Sequence, residues 1–205
     1  MSTFITPLAT AVLSRGDVKL EPLSLAHAND LRAAAADGKL WRLRVTSVPE
    51  PENTEAYIEA ALKAHADGHM LPFAVRHLGT DQIIGCTRYH DIIAAVGRLE
   101  IGYTWYARRY QRTVVNTECK LLLLTHAFEH LDAIAVEFRT HWHNQASRSA
   151  IARLGAKQDG VLRNHQQMAD GSYRDTVVFS IINHEWLAVK ASLSHRLRPG
   201  TWPAV

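Results

Sequence analysis

Cysteine is scarce: Cys86 and Cys119 are the two in 205 residues, 33 positions apart, a spacing that matches neither a zinc-binding nor a redox motif. Both are expected to be reduced structural thiols, with a reducing cytoplasm as the default compartment. No apolar run approaches the roughly 18 to 20 residues that span a bilayer, so no membrane partner is expected. The opening MSTFITPLATAVLSRG lacks a basic segment ahead of its apolar part, and Pro7 interrupts that part, which argues against a secretory leader. Low-complexity tracts, linkers and internal repeats are missing too, so residues 1–205 are expected to form one domain. Helix-turn-helix, zinc-finger and stacking-aromatic signatures are also missing, and nucleic acid is not expected as a partner.

What is present is an ordinary globular composition, 47% hydrophobic, with a formal charge of only +3 but a pI near 9.0. Clustered arginines of this kind suit an anionic small molecule, a nucleic acid or an acidic surface, and composition does not choose among them. VKLEPLS alternates and predicts a strand. LAHANDLRAAAADG and NTEAYIEAALKAHADG have helical spacing and stop at Gly38 and Gly68. MLPFAVRHL, QIIGCTRYHDI and RLEIGYTWY, separated by turn-like GTDQ and AAVG, read as an antiparallel meander. A helix over 114–131, a strand in AIAVEFRT, a helix over 144–154, strands near 156–168 and 173–182, and a closing helix over 183–197 capped by Asn183 complete the chain. The order of these elements gives an α+β class.

Two helix starts stand out. RRYQRTVVN sets Arg108, Arg109, Gln111 and Arg112 just before the helix whose apolar stripe is Val114, Leu121, Leu124, Phe128 and Leu131. Cations are misplaced at a helix N-terminus, whose partial positive charge and unpaired N–H groups favour anions. A strand, loop and helix in this order form a ready phosphate cradle, and flanking arginines strengthen it. A solvated basic turn is the alternative. The second start, HNQASRSAIARLGA, offers Asn144 as a cap, Ser147 and Ser149 in the first turn, Arg148 beside them and Gly155 as the stop.

The combination of a strand with a cationic loop opening a long helix, followed by a strand and N-x-x-S-x-x-x-x-x-x-L-G (Asn144, Ser147, Leu154, Gly155), resembles the GNAT superfamily of acetyl-CoA-dependent N-acetyltransferases. Within it, the branch is similar to the ribosomal-protein N-terminal (RimJ/RimL-like) enzymes, over about residues 17–185. The resemblance implies an α+β fold with a mixed, mostly antiparallel central sheet and helices on both faces, acetyl-CoA as cosubstrate, no metal, and an amine acceptor that is a small molecule or a protein N-terminus. Its pyrophosphate loop, Q/R-x-x-G-x-G/A, corresponds here to Gln111, Arg112, Thr113, Val114, Val115 and Asn116. Gln111 fits, whereas Val114 and Asn116 replace small residues. Without glycine the cradle is expected to use ordinary helical geometry, with Arg108, Arg109 or Arg112 compensating. The cofactor-binding set implied is Tyr103, Trp105, Arg109, Gln111, Arg112, Thr113, Val114, Val115, Asn116, Asn144 and Arg148.

Acyl transfer of this kind needs an amine freed of its proton, a donor to the oxyanion and a proton for the thiolate. Strand alternation puts Leu99, Ile101, Tyr103 and Trp105 on one face of LEIGYTW and Glu100, Gly102 and Thr104 on the other. Glu100 is the favoured base and Glu137, beside Arg139, its rival; an ion pair is the alternative role for either. The resemblance implicates Ser147 near the thiolate sulfur, and backbone N–H groups near Tyr103 to Tyr106 are expected to polarise the carbonyl. Neither cysteine is placed for an acyl intermediate, so direct attack is expected. The His-x-His at 141–143 with His165 lacks the ligand count of a closed metal site. A homodimer through the apolar closing helix and its Trp186 competes with a core role for that residue. A coenzyme A-binding sensor without turnover remains the alternative to an enzyme.

Overall fold

The structure, a computed structural model, describes residues 5–45, 47–168 and 170–198. Eight strands form one sheet in the order β1-β2-β3-β4-β5-β6-β8-β7. They are β1 (Leu13–Arg15), β2 (Val18–Pro22), β3 (Met70–His77), β4 (Gln82–Ile93), β5 (Arg98–Tyr106), β6 (Ala135–His141), β7 (Lys157–Gln167) and β8 (Tyr173–Ile182). Every neighbouring pair is antiparallel except β5 and β6, which run parallel. The strand β1 was not anticipated. It turns into β2 at Gly16 (φ +54°), where an added Cβ would lie 1.9 Å from the Glu118 carboxylate.

The helices α1 (Ala28–Ala36) and α2 (Thr54–Ala66) cover one face of the sheet, and α3 (Val115–Thr125) and α5 (Trp186–Arg196) cover the other. The helix α4 (Gln145–Arg153) follows β6. Each face has its own apolar cluster. Leu31 and Ile58 meet Cys86 and Trp105 on the first, while Phe73, Tyr89, Leu99, Leu123 and Phe138 interlock on the second. The alternation in β3 and β4 accounts for this division, since successive side chains go to opposite faces and both faces are covered.

Three expectations need correction. The helix predicted over 114–131 is α-helical to Thr125 and ends in a π turn over His126–His130. Its burial is not one stripe, because Val115, Cys119 and Leu123 are buried along with Leu121 and Leu124, and it is enclosed by the sheet on one side and α5 on the other. Asn183 does not cap the last helix: it opens a short 3-10 turn and accepts from its neighbour's N–H (His184, 2.9 Å). Trp186 takes the core role, stacked 5.2 Å from Phe128 with its indole N–H donating to Glu129 (2.7 Å). Among the described residues no helix is long and apolar enough to cross a membrane.

Leu123 has no exposed surface and its carbonyl accepts from the Tyr89 hydroxyl (2.5 Å), whereas Leu187 is 81% exposed on α5. Leu123→Ala is expected to lower unfolding free energy by about 2–5 kcal/mol, and Leu187→Ala by no more than about 0.5 kcal/mol. Denaturant midpoints of the two variants check the assignment of the inward face of α3.

Candidate active site

β5 and β6 pair over only three positions, Arg98 with Ala135, Leu99 with Val136 and Glu100 with Glu137. Beyond Glu100 the two strands continue to Tyr106 and His141 without pairing, so their carboxyl ends splay apart. Because the strands are parallel, the helices that follow them, α3 and α4, begin at the same end of the sheet. Two helix N-termini therefore flank one wedge, an arrangement that favours an anion.

On the β5 side the loop turns through a short 3-10 segment, Arg108–Tyr110, and α3 begins at Val115. The Gln111 amide donates to the Tyr106 carbonyl (2.9 Å), tying the loop to the strand end. Thr113 donates to the Tyr110 carbonyl (2.7 Å) and accepts from the Val115 N–H (3.3 Å). No side chain caps the residue at the helix start, Val114. The loop does not have the ordinary helical geometry expected of it: Arg112 sits at φ +62°, the left-handed region that glycine would enter without cost. Positive φ is thus used, but one residue past Gln111 rather than at Val114 or Asn116. Arg112 is exposed, and Val115 is buried with its side chain in the core. Arg109 is turned away, its guanidinium 3.6 Å from Asp37 at the end of α1 and its backbone N–H on the same carboxylate. Asn116 accepts from the Tyr106 hydroxyl (3.4 Å).

On the β6 side Asn144 caps α4 as expected, its Oδ1 accepting from the Ser147 N–H (3.1 Å). Arg148 lies over the Trp142 ring (4.3 Å) and donates to the Trp142 carbonyl (3.2 Å). Ser147 is half-buried in the first turn. His143 donates its backbone N–H to His141 Nδ1 (3.0 Å), and His165 Nδ1 lies 3.1 Å from the Thr176 hydroxyl, so these histidines have local partners.

The alternation expected along β5 breaks at Tyr103. Cys86 faces Trp105 but Arg88 faces Gly102, so two residues of β5 stand against one of β4, and Tyr103 takes φ +50°. This is a β-bulge, and it shifts every later side chain to the opposite face. Trp105 consequently leaves the Leu99 and Ile101 face and packs with α1 and α2, donating to the Tyr57 hydroxyl (3.3 Å). Thr104 moves the other way, and buried Lys120 of α3 donates to its hydroxyl (2.6 Å). Burial lowers the Lys120 pKa to about 8. Tyr103, 39% exposed, is left over Arg88 and against the His90 ring (5.0 Å).

Glu100 is 4% exposed and sits at the last paired position. It accepts from the Arg139 N–H (3.1 Å), and the Arg139 guanidinium and His90 Nε2 lie 3.5 and 3.4 Å from its carboxylate. Glu137 pairs with Arg139 (3.0 Å) and with Arg98. Asp91 completes the cluster, 3.4 Å from His90 and 3.8 Å from Arg139. His90, Asp91 and Glu100 gather three potential metal-ligand atoms, but Arg139 and His90 already balance the carboxylates. Burial opposes a charge on His90, yet Asp91 and Glu100 outweigh it and raise its pKa to about 9. Sequence reasoning passed over Arg88 and Lys120 and left His90 open as a pocket or surface residue. A sign was available for His90: Gly102, diagonal to it on β5, leaves it room, and a Cβ there would meet His90 Nε2 at 2.2 Å.

Because its folded pKa is raised, His90 contributes stability that is complete below about pH 6.5 and is lost as pH rises through about 9. The loss amounts to at most about 3 kcal/mol. Unfolding free energies of wild type and His90→Gln between pH 6 and 10 should converge as pH rises. Lys120, titrating in the opposite sense, cancels in that difference.

The comparisons with known proteins agree with this geometry. Residues 17–157 match the family model described as an acetyltransferase (GNAT) domain. A Bacillus subtilis (strain 168) protein named "Putative ribosomal N-acetyltransferase YdaF" is 25% identical over 140 residues, 66% of this chain and 74% of that one. The crystal structure of a GCN5-related N-acetyltransferase from Brucella melitensis superposes with a TM-score of 0.86 at 27% identity, covering 98% of this chain and 92% of the other. RimL, a ribosomal L7/L12 alpha-N-protein acetyltransferase solved with coenzyme A, shares the fold with a TM-score of 0.72 at 18% identity, over 84% and 98% of the two chains. With its splayed parallel pair, two helix N-termini at the wedge and a family match across most of its length, the chain belongs to the GNAT family of acetyl-CoA-dependent N-acetyltransferases.

Proposed function

We propose that the protein transfers acetyl directly from acetyl-CoA to a primary amine, with the α-amine of a polypeptide as the favoured acceptor and small-molecule amines as the competing class. The favoured acceptor is supported by the names of two relatives, one a putative ribosomal N-acetyltransferase and the other a ribosomal L7/L12 alpha-N-protein acetyltransferase. The observation that carries the reading is the wedge itself. It opens at Glu100, it is flanked by the starts of α3 and α4, and a bulge with unpaired backbone lies on its β5 edge. Residues of the loop from Gln111 to Asn116 would hold the pyrophosphate through backbone N–H groups and the exposed Arg112, while Asn144 and Ser147 would border the pantetheine. Arg109, committed to Asp37, would contribute only after leaving that carboxylate. Acetyl-CoA supplies the thioester.

In the proposed step the amine nitrogen bonds to the acetyl carbon, the C–S bond breaks, the amine proton goes to Glu100 and the thiolate takes the Ser147 hydroxyl proton, which solvent replaces as Glu100 releases its own. Glu100 Oε2 accepts no hydrogen bond among the described residues, its neighbour being Arg139 Nε at 3.5 Å, and in this reading it is the oxygen that receives the proton. His90 is charged at neutral pH and cannot. Lys120 adds a cation behind the bulge, where charge develops on the carbonyl oxygen. Both thiols are fully buried, and burial pushes Cys119 up to about 12 and raises Cys86, so neither is a competent nucleophile. Buried reduced thiols also suit a cytoplasmic location.

Acetyl-CoA should raise the melting temperature saturably, with a stabilisation of about 2.7 kcal/mol at roughly 100 times its dissociation constant. A nucleotide with matched phosphates but no pantetheine should do markedly less; an equal rise would mean that the loop is a general polyanion site. Glu100→Gln should keep the acetyl-CoA shift and lose about 100-fold or more in kcat, measured as amine-dependent thiol release. An unchanged rate would remove Glu100 as the base.

A further inference from the structure

Arg88 is a buried cation without a counterion among the described residues, on the sheet face covered by α1 and α2. It is 3% exposed, in the middle of β4, and its guanidinium is sandwiched 4.2 Å from the Tyr57 ring and 4.6 Å from the Tyr103 ring. The rings satisfy its two flat faces. Its Nη1 reaches only the Met70 thioether (3.4 Å), and Nε and Nη2 have no acceptor among the described residues. No carboxylate lies within ion-pair distance of it among those residues. Glu100, the nearby buried acid, is already held by Arg139 and His90.

Burying a guanidinium with no anionic partner is costly, so such a group is kept where something meets it. Nε and Nη2 together form one edge of the planar fork, two parallel donors spaced for the two oxygens of a carboxylate. Arg174 on β8 repeats the pattern. Its Nε is likewise buried and unbonded, and it interacts electrostatically with Tyr103, Glu100 and Arg139. The Arg88 guanidinium and the His90 ring, which pairs with Glu100, both contact the Tyr103 ring, at the bulge where β5 leaves β6. Tyr103 is the partly exposed member of this group, 39% exposed, whereas Arg88 and Glu100 are buried.

We propose that Arg88 is a specificity residue that binds a carboxylate of the acceptor, and that the substrates are amines carrying a carboxylate close to the reacting nitrogen. This rests on the N-acetyltransferase reading above and narrows it. The carboxylate has two sources of the same chemistry: the α-carboxylate of a free amino acid, or an acidic side chain at the second residue of a polypeptide.

Two matched pairs distinguish these sources: serine against serinamide, and the tripeptide amide Ser-Asp-Ala against Ser-Asn-Ala. In one pair the acid should be acetylated with a kcat/KM roughly 30-fold or more above its amide, since a site built to bond a polar group discriminates strongly against its loss. Which pair responds identifies the source. In Arg88→Gln that ratio should fall to near one while the acetyl-CoA melting shift is retained; Arg88→Lys, which keeps charge but not the fork, should keep part of it. Equal rates within both pairs for wild type, or a ratio that survives Arg88→Gln, overturns the proposal and leaves the enzyme reading intact. A binding measurement separates the two ideas if neither pair turns over. With coenzyme A saturating, a melting rise caused by the acid but not the amide, and lost in Arg88→Gln, supports the Arg88 site and counts against acetyl transfer to these amines. No such rise overturns the carboxylate site as well.

Discussion

Three residue pairs join β5 to β6, and the site depends on that contact being so short. At its last position the Arg139 N–H donates to the Glu100 carboxylate rather than continuing a strand ladder (3.1 Å). From there the strands diverge, and the bulge at Tyr103 adds a bend and an extra residue on the β5 side. The opening has to be stabilised by something other than backbone pairing. The hydrogen bonds that close it at one end come from a buried ion cluster, and those at the other come from the starts of α3 and α4.

The charges around the point where β5 and β6 part are unevenly matched. Glu100, Glu137 and Asp91 are engaged by Arg139, Arg98 and His90 in a continuous network. Arg88 and Arg174 lie outside those pairs, and Lys120 on the far side of the bulge has a hydroxyl as its partner. The buried interior is therefore more cationic than acidic around the point where the strands part. That field favours a thiolate leaving group and an oxyanion in a GNAT enzyme, and it equally favours an acceptor that brings its own negative charge.

The fold was largely legible in residue order. The meander, the helix after Arg112, the capped helix at Asn144 and the two closing strands all lie within a few residues of their expected positions, because each is marked by local periodicity and by stop residues such as Gly38 and Gly155. Asn144 and Ser147 were readable because a cap and the N–H that it accepts are neighbours in sequence. Glu100 was singled out on strand period alone. That reasoning held up to Ile101 and failed at Tyr103, since a bulge is a property of two strands meeting and leaves β5 with no local sign except an adjacent glycine.

Local sequence thus determined the elements, the two helix starts and the chemical types at the wedge. Tertiary structure alone decided which charges are neutralised. His90, Glu100 and Arg139 come from three strands, and Arg88 is enclosed by rings from α2 and β5, so their pairing depends on sheet register and burial rather than on spacing along the chain. Arg109 makes the point from the other direction: adjacent to the cradle in sequence, it is held by Asp37, 72 residues earlier. Short-range physics sets backbone conformation, whereas a buried ion's partner is set by whatever the fold brings within a few ångströms, where the lowered dielectric makes that one contact outweigh sequence proximity.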